Sequence, residues 1–191
     1  MNYKISVIGM GYVGCANALM LASNNQVSIC EIDKKKVKDF NKGILPINEF
    51  FAQEFLDTRP LNISATTNLE ESVKDSTFII LALPTNFSSK LKEFDIQIIE
   101  EVSRQVISIN PSALIVIRST INIGFTEQLS SLLKSERIIF CPEFLREGKA
   151  LNDSLNPDRI IIGGSKKVAE KFLNLLQDSI GHSKTPAMIT T

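Results

Sequence analysis

The chain has 191 residues, and 43% of them are hydrophobic, enough for a packed core and too many for a disordered chain. Its 21 basic and 21 acidic residues cancel, which argues against binding nucleic acid or a membrane surface through bulk electrostatics. The longest apolar runs, such as Phe78 to Leu83 and Leu114 to Ile117, are strand-sized and fall far short of the roughly 20 residues of a membrane span.

In chain order, Ile5 to Ile8 reads as a short apolar strand ending at Gly9, and Tyr12 to Ser23 as a helix rich in small residues. Gln26 to Ile32 is a second strand, and Lys34 to Asn41 a charged helix ending at Gly43. Leu61 to Ala65 is a short strand and Thr77 to Leu83 a longer buried one, followed by a polar loop from Phe87 to Phe94. Asp95 to Ile109 carries Ile96, Ile99, Val102 and Val106 at helical spacing, with Asp95 as N-cap and Asn110-Pro111 as the stop. Ala113 to Arg118, Arg137 to Cys141 and Arg159 to Ile162 are further strands, Val168 to Leu176 is an amphipathic helix, and Ala187 to Thr190 is a last strand. Strands alternating with helices imply βαβ units and a parallel sheet, and near-continuous Ile/Val/Leu runs fit strands buried on both faces.

The N-terminus shows no signal-peptide pattern, and Cys15, Cys30 and Cys141 form an odd set without metal-ligand spacing. Reduced thiols in a cytoplasmic protein with no metal are the simplest reading. Cys141 precedes Pro142-Glu143, but the sole histidine, His182, has no acidic residue close in sequence. Cys141 therefore reads as a buried structural thiol and His182 as a surface-loop residue.

The first motif is Gly9-Met10-Gly11-Tyr12-Val13-Gly14, between a strand and a helix. Gly9 suits a tight turn, Gly11 lets backbone approach a pyrophosphate, Gly14 permits close helix–strand packing, and the helix N-terminus favours the anion. Glu31 follows Gly14 by 17 residues, with Asp33 close behind. Either carboxylate could accept from a ribose diol, which favours NAD over NADP; Glu31 is preferred because Asp33 suits the cap of the next helix. Leu83-Pro84-Thr85-Asn86 and Arg118-Ser119-Thr120 end strands at the edge where open α/β sheets bind ligands. The two hydroxyls of the second motif either hold a water or a cofactor ring, or cap the helix that follows. The densest segment is Pro142-Glu143-Phe144-Leu145-Arg146-Glu147-Gly148, where charges flank two apolar side chains that favour burial.

In this order the motifs resemble the UDP-glucose 6-dehydrogenase family, within the UDP-glucose/GDP-mannose dehydrogenases. The residues that carry the likeness are Gly9 to Gly14, Leu83 to Asn86, Ser119 to Gly124, Pro142 to Leu151 and Pro157-Asp158-Arg159-Ile160. The resemblance implies a Rossmann-like, doubly wound α/β fold with a mostly parallel sheet and helices on both faces. It implies oxidation of the C6 alcohol of UDP-glucose to a carboxylate with two NAD molecules, through a cysteine-bound thioester. By this likeness Gly9, Gly11, Tyr12, Val13, Gly14, Glu31, Lys36, Pro84, Thr85, Thr120 and Glu147 would hold the cofactor. Glu143, Phe144, Leu145, Arg146 and Glu147 would bind substrate, and Thr120 and Glu143 would serve catalysis through a shared water. Asn122, Glu31 and Asn152 stand where the family more often has proline, aspartate and tyrosine, and Asn122 is expected to loosen its turn. The resemblance makes residues 1–191 an NAD-binding domain without the connecting helix, the nucleotide-sugar domain or the nucleophilic cysteine. The fragment alone is then expected to be inactive, and the full-length parent to be a homodimer. The alternatives are a dehydrogenase for GDP-mannose or a UDP-N-acetylhexosamine, or a non-catalytic NAD-binding module.

Overall fold

The computed structural model describes residues 2–90, 92–180 and 185–190, so His182 lies outside the described residues. The chain begins with β1 (Lys4–Ile8), α1 (Tyr12–Ala22), β2 (Gln26–Cys30) and α2 (Lys34–Phe40), close to the expected spans. β2 stops at Cys30 rather than Ile32, whose side chain stands in solvent. Asp33 caps α2 as expected, its carboxylate accepting from the Lys35 and Lys36 amides.

Next come α3 (Phe50–Thr58), β3 (Ile63–Thr66), α4 (Leu69–Val73) and β4 (Phe78–Leu81). The stretch read as a polar loop is instead a small hairpin of β5 (Phe87–Ser88) and β6 (Glu93–Phe94). α5 (Gln97–Ile109) starts later than expected; Ile96 holds the N-cap position, and the Asp95 carboxylate accepts from the Gln97 amide at 3.2 Å. The remainder is β7 (Leu114–Ile117), α6 (Phe125–Leu133), β8 (Ile138–Phe140), α7 (Ala150–Leu155), β9 (Ile160–Gly164), α8 (Lys166–Ile180) and β10 (Ala187–Thr190).

The main sheet has the order β10-β9-β8-β7-β4-β1-β2-β3. Neighbours run parallel throughout except β8 and β9, which are antiparallel. Its central strands show why the apolar runs are unbroken. In β4, Phe78 and Ile80 face one core while Ile79 and Leu81 face the other. In β7, Leu114 and Val116 divide from Ile115 and Ile117 in the same way. A period of two with both faces covered needs an apolar residue at every position. One face is covered by α1, α7 and α8, the other by α4, α5 and α6. α1 is buried from Gly14 to Ala22, and its Ala16, Ala18 and Ala22 leave room for sheet and helices to close around it.

The direction of winding reverses between β1 and β4, which are neighbours in space though β2 and β3 intervene in sequence. Crevices of this kind at the carboxyl ends of the strands are where doubly wound sheets bind ligands. Gly9, Leu83, Arg118 and Cys141 lie just beyond the carboxyl ends of β1, β4, β7 and β8.

The loop after β8 is seated from below by Glu49, which is only 3% exposed. Its two carboxylate oxygens accept from the amides of Ala150 (3.0 Å) and Leu151 (2.9 Å) at the start of α7. Nothing in the local sequence marks this cap, which reaches across 101 residues. Glu49→Ala leaves two buried amides without partners, at a cost of about 2–3 kcal/mol. At about 2–4 °C per kcal/mol for a chain of this size, the melting temperature should fall by roughly 5–10 °C by circular dichroism. A shift within 1 °C would show that α7 is held by apolar packing alone.

Candidate active site

The glycine turn is built by contact. A Cβ on Gly9 would strike the Ala82 carbonyl oxygen, and one on Gly14 would strike the Gly9 carbonyl oxygen. Gly9 also has φ +105, a region that side chains disfavour. At Gly11 a Cβ would meet nothing within 4 Å, so open space lies above the turn. Gly11 is the N-cap of α1, and the first amides of that helix, through Tyr12, Val13 and Gly14, have no intrahelical acceptor. Space over Gly11, orphan donors and the positive end of an 11-residue helix together fit a pyrophosphate.

Glu31 closes the other side of that turn. Its Oε2 accepts from the Met10 amide at 3.1 Å and its Oε1 from the Asp33 amide at 3.1 Å. Lys36 brings its Nζ within 3.9 Å of Oε2. A carboxylate offers about four acceptor sites, so both oxygens retain capacity for a diol. Glu31 is therefore fixed beside the glycine turn.

A cavity of about 400 Å³ opens beyond the turn, and Val13, Thr85, Thr120 and Glu143 all line it. Neither threonine hydroxyl has a hydrogen bond among the described residues, while Pro84, between the lining residues Leu83 and Thr85, is exposed. Ser119 behaves differently. Its hydroxyl accepts from the Leu83 amide at 2.8 Å and lies 3.3 Å from the Leu81 carbonyl, so it joins the exits of β4 and β7. Neither hydroxyl caps α6, whose N-cap is Gly124 at φ +81.

A second cavity of about 380 Å³ lies beside the first, lined by Phe144, Leu145, Arg146, Ser154, Arg159 and others. Leu145 packs on the core, but Phe144 is 53% exposed, against the burial expected of it. The Arg159 guanidinium covers its ring, 4.6 Å from the centroid. Arg146 is held by Asp153, with contacts of 2.7 and 3.0 Å from its guanidinium and 3.0 Å from its amide. That pairing lowers the Asp153 carboxyl below its ordinary range. Glu147 is exposed on the same loop, and Gly148, at φ +79, turns the chain into α7.

The wall between the two cavities is Arg118 with Glu143, which line both. Arg118 Nε lies 2.9 Å from Glu143 Oε1, with side-chain exposures of only 7% and 14%. Asn17 completes the cluster. Its Oδ1 accepts from Arg118 at 3.0 and 3.1 Å, and its Nδ2 donates to Glu143 Oε1 at 2.7 Å. Arg118 also reaches the Cys141 carbonyl (3.2 Å) and thiol (3.0 Å). Glu143 is thus anchored through one oxygen, and among the described residues its Oε2 has no hydrogen-bond partner.

Sequence reading passed over Asn17 and the role of Arg118. The available signals were a lone amide in the apolar helix Gly14–Ala22 and a guanidinium closing the all-apolar strand Leu114–Ile117. Among the described residues no group of three or more metal-ligating side chains converges.

All three thiols are buried and free. Burial pushes Cys15 up to about 12 and Cys30 to about 11. Cys141 rises to about 11 through burial, with Arg118 opposing. At pH 8 a thiol of that kind is thiolate about one part in a thousand, and the thiolate is the reactive form. A thiol-reactive disulfide reagent should therefore label the native chain very slowly at pH 8, and all three thiols at once in denaturant. Fast native labelling of Cys141 would show that the Arg118 contact, not burial, governs it.

Comparison with known proteins bears on the whole of this architecture. The model of the UDP-glucose/GDP-mannose dehydrogenase family, NAD binding domain, matches residues 3–180. A UDP-glucose 6-dehydrogenase of Campylobacter jejuni is 36% identical over 180 residues, covering 91% of this chain and 46% of that protein. A UDP-glucose dehydrogenase structure from Pyrobaculum islandicum superposes with a TM-score of 0.85 at 27% identity, over 100% of this chain and 46% of the other. A UDP-D-ManNAc dehydrogenase structure from Pyrococcus horikoshii gives 0.86 at 28% identity, over 98% and 46%. The chain spans about half the length of the curated relatives it matches. By sequence and by fold, this chain belongs to the UDP-glucose/GDP-mannose dehydrogenase family and carries its NAD-binding domain.

Proposed function

We propose that residues 1–191 act as the NAD-binding domain of a UDP-glucose 6-dehydrogenase, converting UDP-glucose, two NAD⁺ and water to UDP-glucuronate and two NADH. The observation that carries the reading is Glu143, fixed through Oε1 and, among the described residues, unpartnered at Oε2. It stands on the wall shared by the cavity beyond the glycine turn and the cavity of the Phe144–Arg146 loop. In this reading the nicotinamide side of NAD enters the first cavity, between Thr85 and Thr120, and the sugar enters the second. When bound, NAD supplies the hydride acceptor. The chain's own residues orient it: the α1 amides hold the pyrophosphate, and Glu31 accepts from the ribose with Lys36 alongside. Thr120 and Glu143 hold one water between them, and Glu143 takes its proton as that water attacks the thioester carbonyl, the C–S bond breaks and the cysteine leaves as thiolate. Phe144, Leu145, Arg146 and Glu147 shape the sugar side.

The thiol that carries the acyl group is not one of Cys15, Cys30 or Cys141, because each is buried and protonated. It belongs to a length of protein outside these residues, as does the rest of the nucleotide-sugar site. We place the full-length protein in the cytoplasm, as a homodimer. No helix among the described residues is long and apolar enough to cross a membrane. A second reading takes a UDP-N-acetylhexosamine as substrate, and the likeness to the Pyrococcus structure favours it. The 36% identity to the Campylobacter enzyme weighs toward UDP-glucose.

Two measurements test the proposal. Calorimetry on this chain should show NAD binding at least about tenfold tighter than NADP, since a 2′-phosphate would meet the Glu31 carboxylate across a few ångströms. Glu31→Gln should narrow that gap; equal affinities in the parent chain would remove Glu31 from the ribose site. In the full-length protein, Glu143→Gln keeps the shape and removes the charge. Steady-state turnover should fall about 10²–10⁴-fold, with an acyl-enzyme accumulating after a burst of NADH. Turnover within about threefold of the parent would make Glu143 a structural carboxylate.

A further inference from the structure

Asn122 stands two residues beyond Thr120, and its side chain does not loosen the turn as the sequence suggests. Its Oδ1 accepts from the Phe94 amide at 2.9 Å, and its Nδ2 donates to the Phe94 carbonyl at 3.0 Å. The side-chain amide thus occupies both backbone groups of one residue, as a strand neighbour would. Phe94 lies in β6 and pairs with Phe87 in β5, just after the Pro84-Thr85-Asn86 exit. The Asp95 amide closes the base of the hairpin on the Asn86 carbonyl at 2.8 Å. The Thr85 exit, the hairpin, Asn122 and the Thr120 exit therefore form a closed ring, and Thr85 and Thr120 in that ring line the first cavity.

Each strand of this hairpin is two residues long, and a lone two-stranded hairpin is marginal in water. Phe87 is 56% exposed and stacks mainly on Phe94, with ring centroids 5.2 Å apart. Ile123, beside Asn122, is fully exposed. Asn122 gives the hairpin two hydrogen bonds to the Thr120 loop.

We infer that Asn122 is a positioning residue: by clasping Phe94 it sets the separation of Thr85 and Thr120, and so the fit of the nicotinamide end of NAD. The inference rests on the cofactor placement proposed above. It predicts an effect confined to one end of the ligand, because the glycine turn and Glu31 lie outside the ring. ADP-ribose, which keeps the adenosine and pyrophosphate but lacks nicotinamide, is the probe.

Calorimetry would compare NAD and ADP-ribose on the wild-type chain, on Asn122→Ala and on Asn122→Asp. The wild type should bind NAD more tightly than ADP-ribose. Asn122→Ala should weaken NAD roughly five- to tenfold, the scale of two lost hydrogen bonds, and leave ADP-ribose within about twofold. The Phe94 amide should also exchange faster with solvent. Asn122→Asp keeps one acceptor and loses the donor, so its NAD loss should be partial; it decides the matter if the alanine variant folds poorly. Equal weakening of both ligands, or no weakening of either, would overturn the inference. So would a wild type that binds the two ligands equally, since nicotinamide would then gain nothing from the slot. A wild type that binds neither would sink the cofactor placement itself, and the inference with it.

Discussion

The buried guanidinium of Arg118 is the constraint around which the site is arranged. A cation with 7% side-chain exposure is costly unless its charge and its donors are matched. Here the match comes from two separate parts of the chain: Asn17 in α1, and the segment just beyond β8, which supplies the carbonyl and thiol of Cys141 and the Glu143 carboxylate. Satisfying one side chain therefore aligns a helix, the end of β7 and the loop after β8. Removing one partner of such a pair typically costs 3–5 kcal/mol, because the other is left charged and dry.

For the role proposed for Glu143, the same arrangement separates holding from acting. Glu143 is immobilised through the oxygen that faces Arg118 and Asn17, while its second oxygen has no partner among the described residues. An acid–base group gains from that division, since its orientation is set in advance and its reactive lone pair stays free. Glu49 does the corresponding work for the segment below. By accepting from the first amides of α7 it fixes where Gly148 must turn, and so where the Phe144–Arg146 stretch lies.

Around the cofactor edge, three kinds of contact meet. Steric exclusion shapes the glycine turn, where Gly9 and Gly14 abut backbone carbonyl oxygens. Main-chain anchoring fixes Glu31 on Met10 and Asp33. Side-chain amides and hydroxyls join neighbouring strand exits, through Ser119 to Leu83 and Asn122 to Phe94. Each suits a different demand: close approach, a fixed charge, and a set spacing between strand exits.

The amino-acid sequence by itself determined what depends on local pattern. Alternation of strand and helix, the unbroken Phe78–Leu81 and Leu114–Ile117 runs, and the glycine turn with its trailing carboxylate follow from steric and burial rules that act over a few residues. Thr85, Thr120 and Glu143 were legible as strand-end residues for the same reason, because parallel strands bring their exits to one edge. Only the tertiary structure decided which of them are free and which are spent. Ser119 and Thr120 are adjacent hydroxyls, yet one is tied to Leu83 and the other faces a cavity. Asn122 looked like a loosened turn and is a clasp; Phe87 to Phe94 looked like a loop and is the hairpin it holds. Asn17 and Glu143 are 126 residues apart, and Glu49 and Ala150 are 101 apart. Pairings at that range leave no local trace, because any polar residue of suitable length could make them. It is the packing of sheet and helices that brings one particular donor within 3 Å of one particular acceptor.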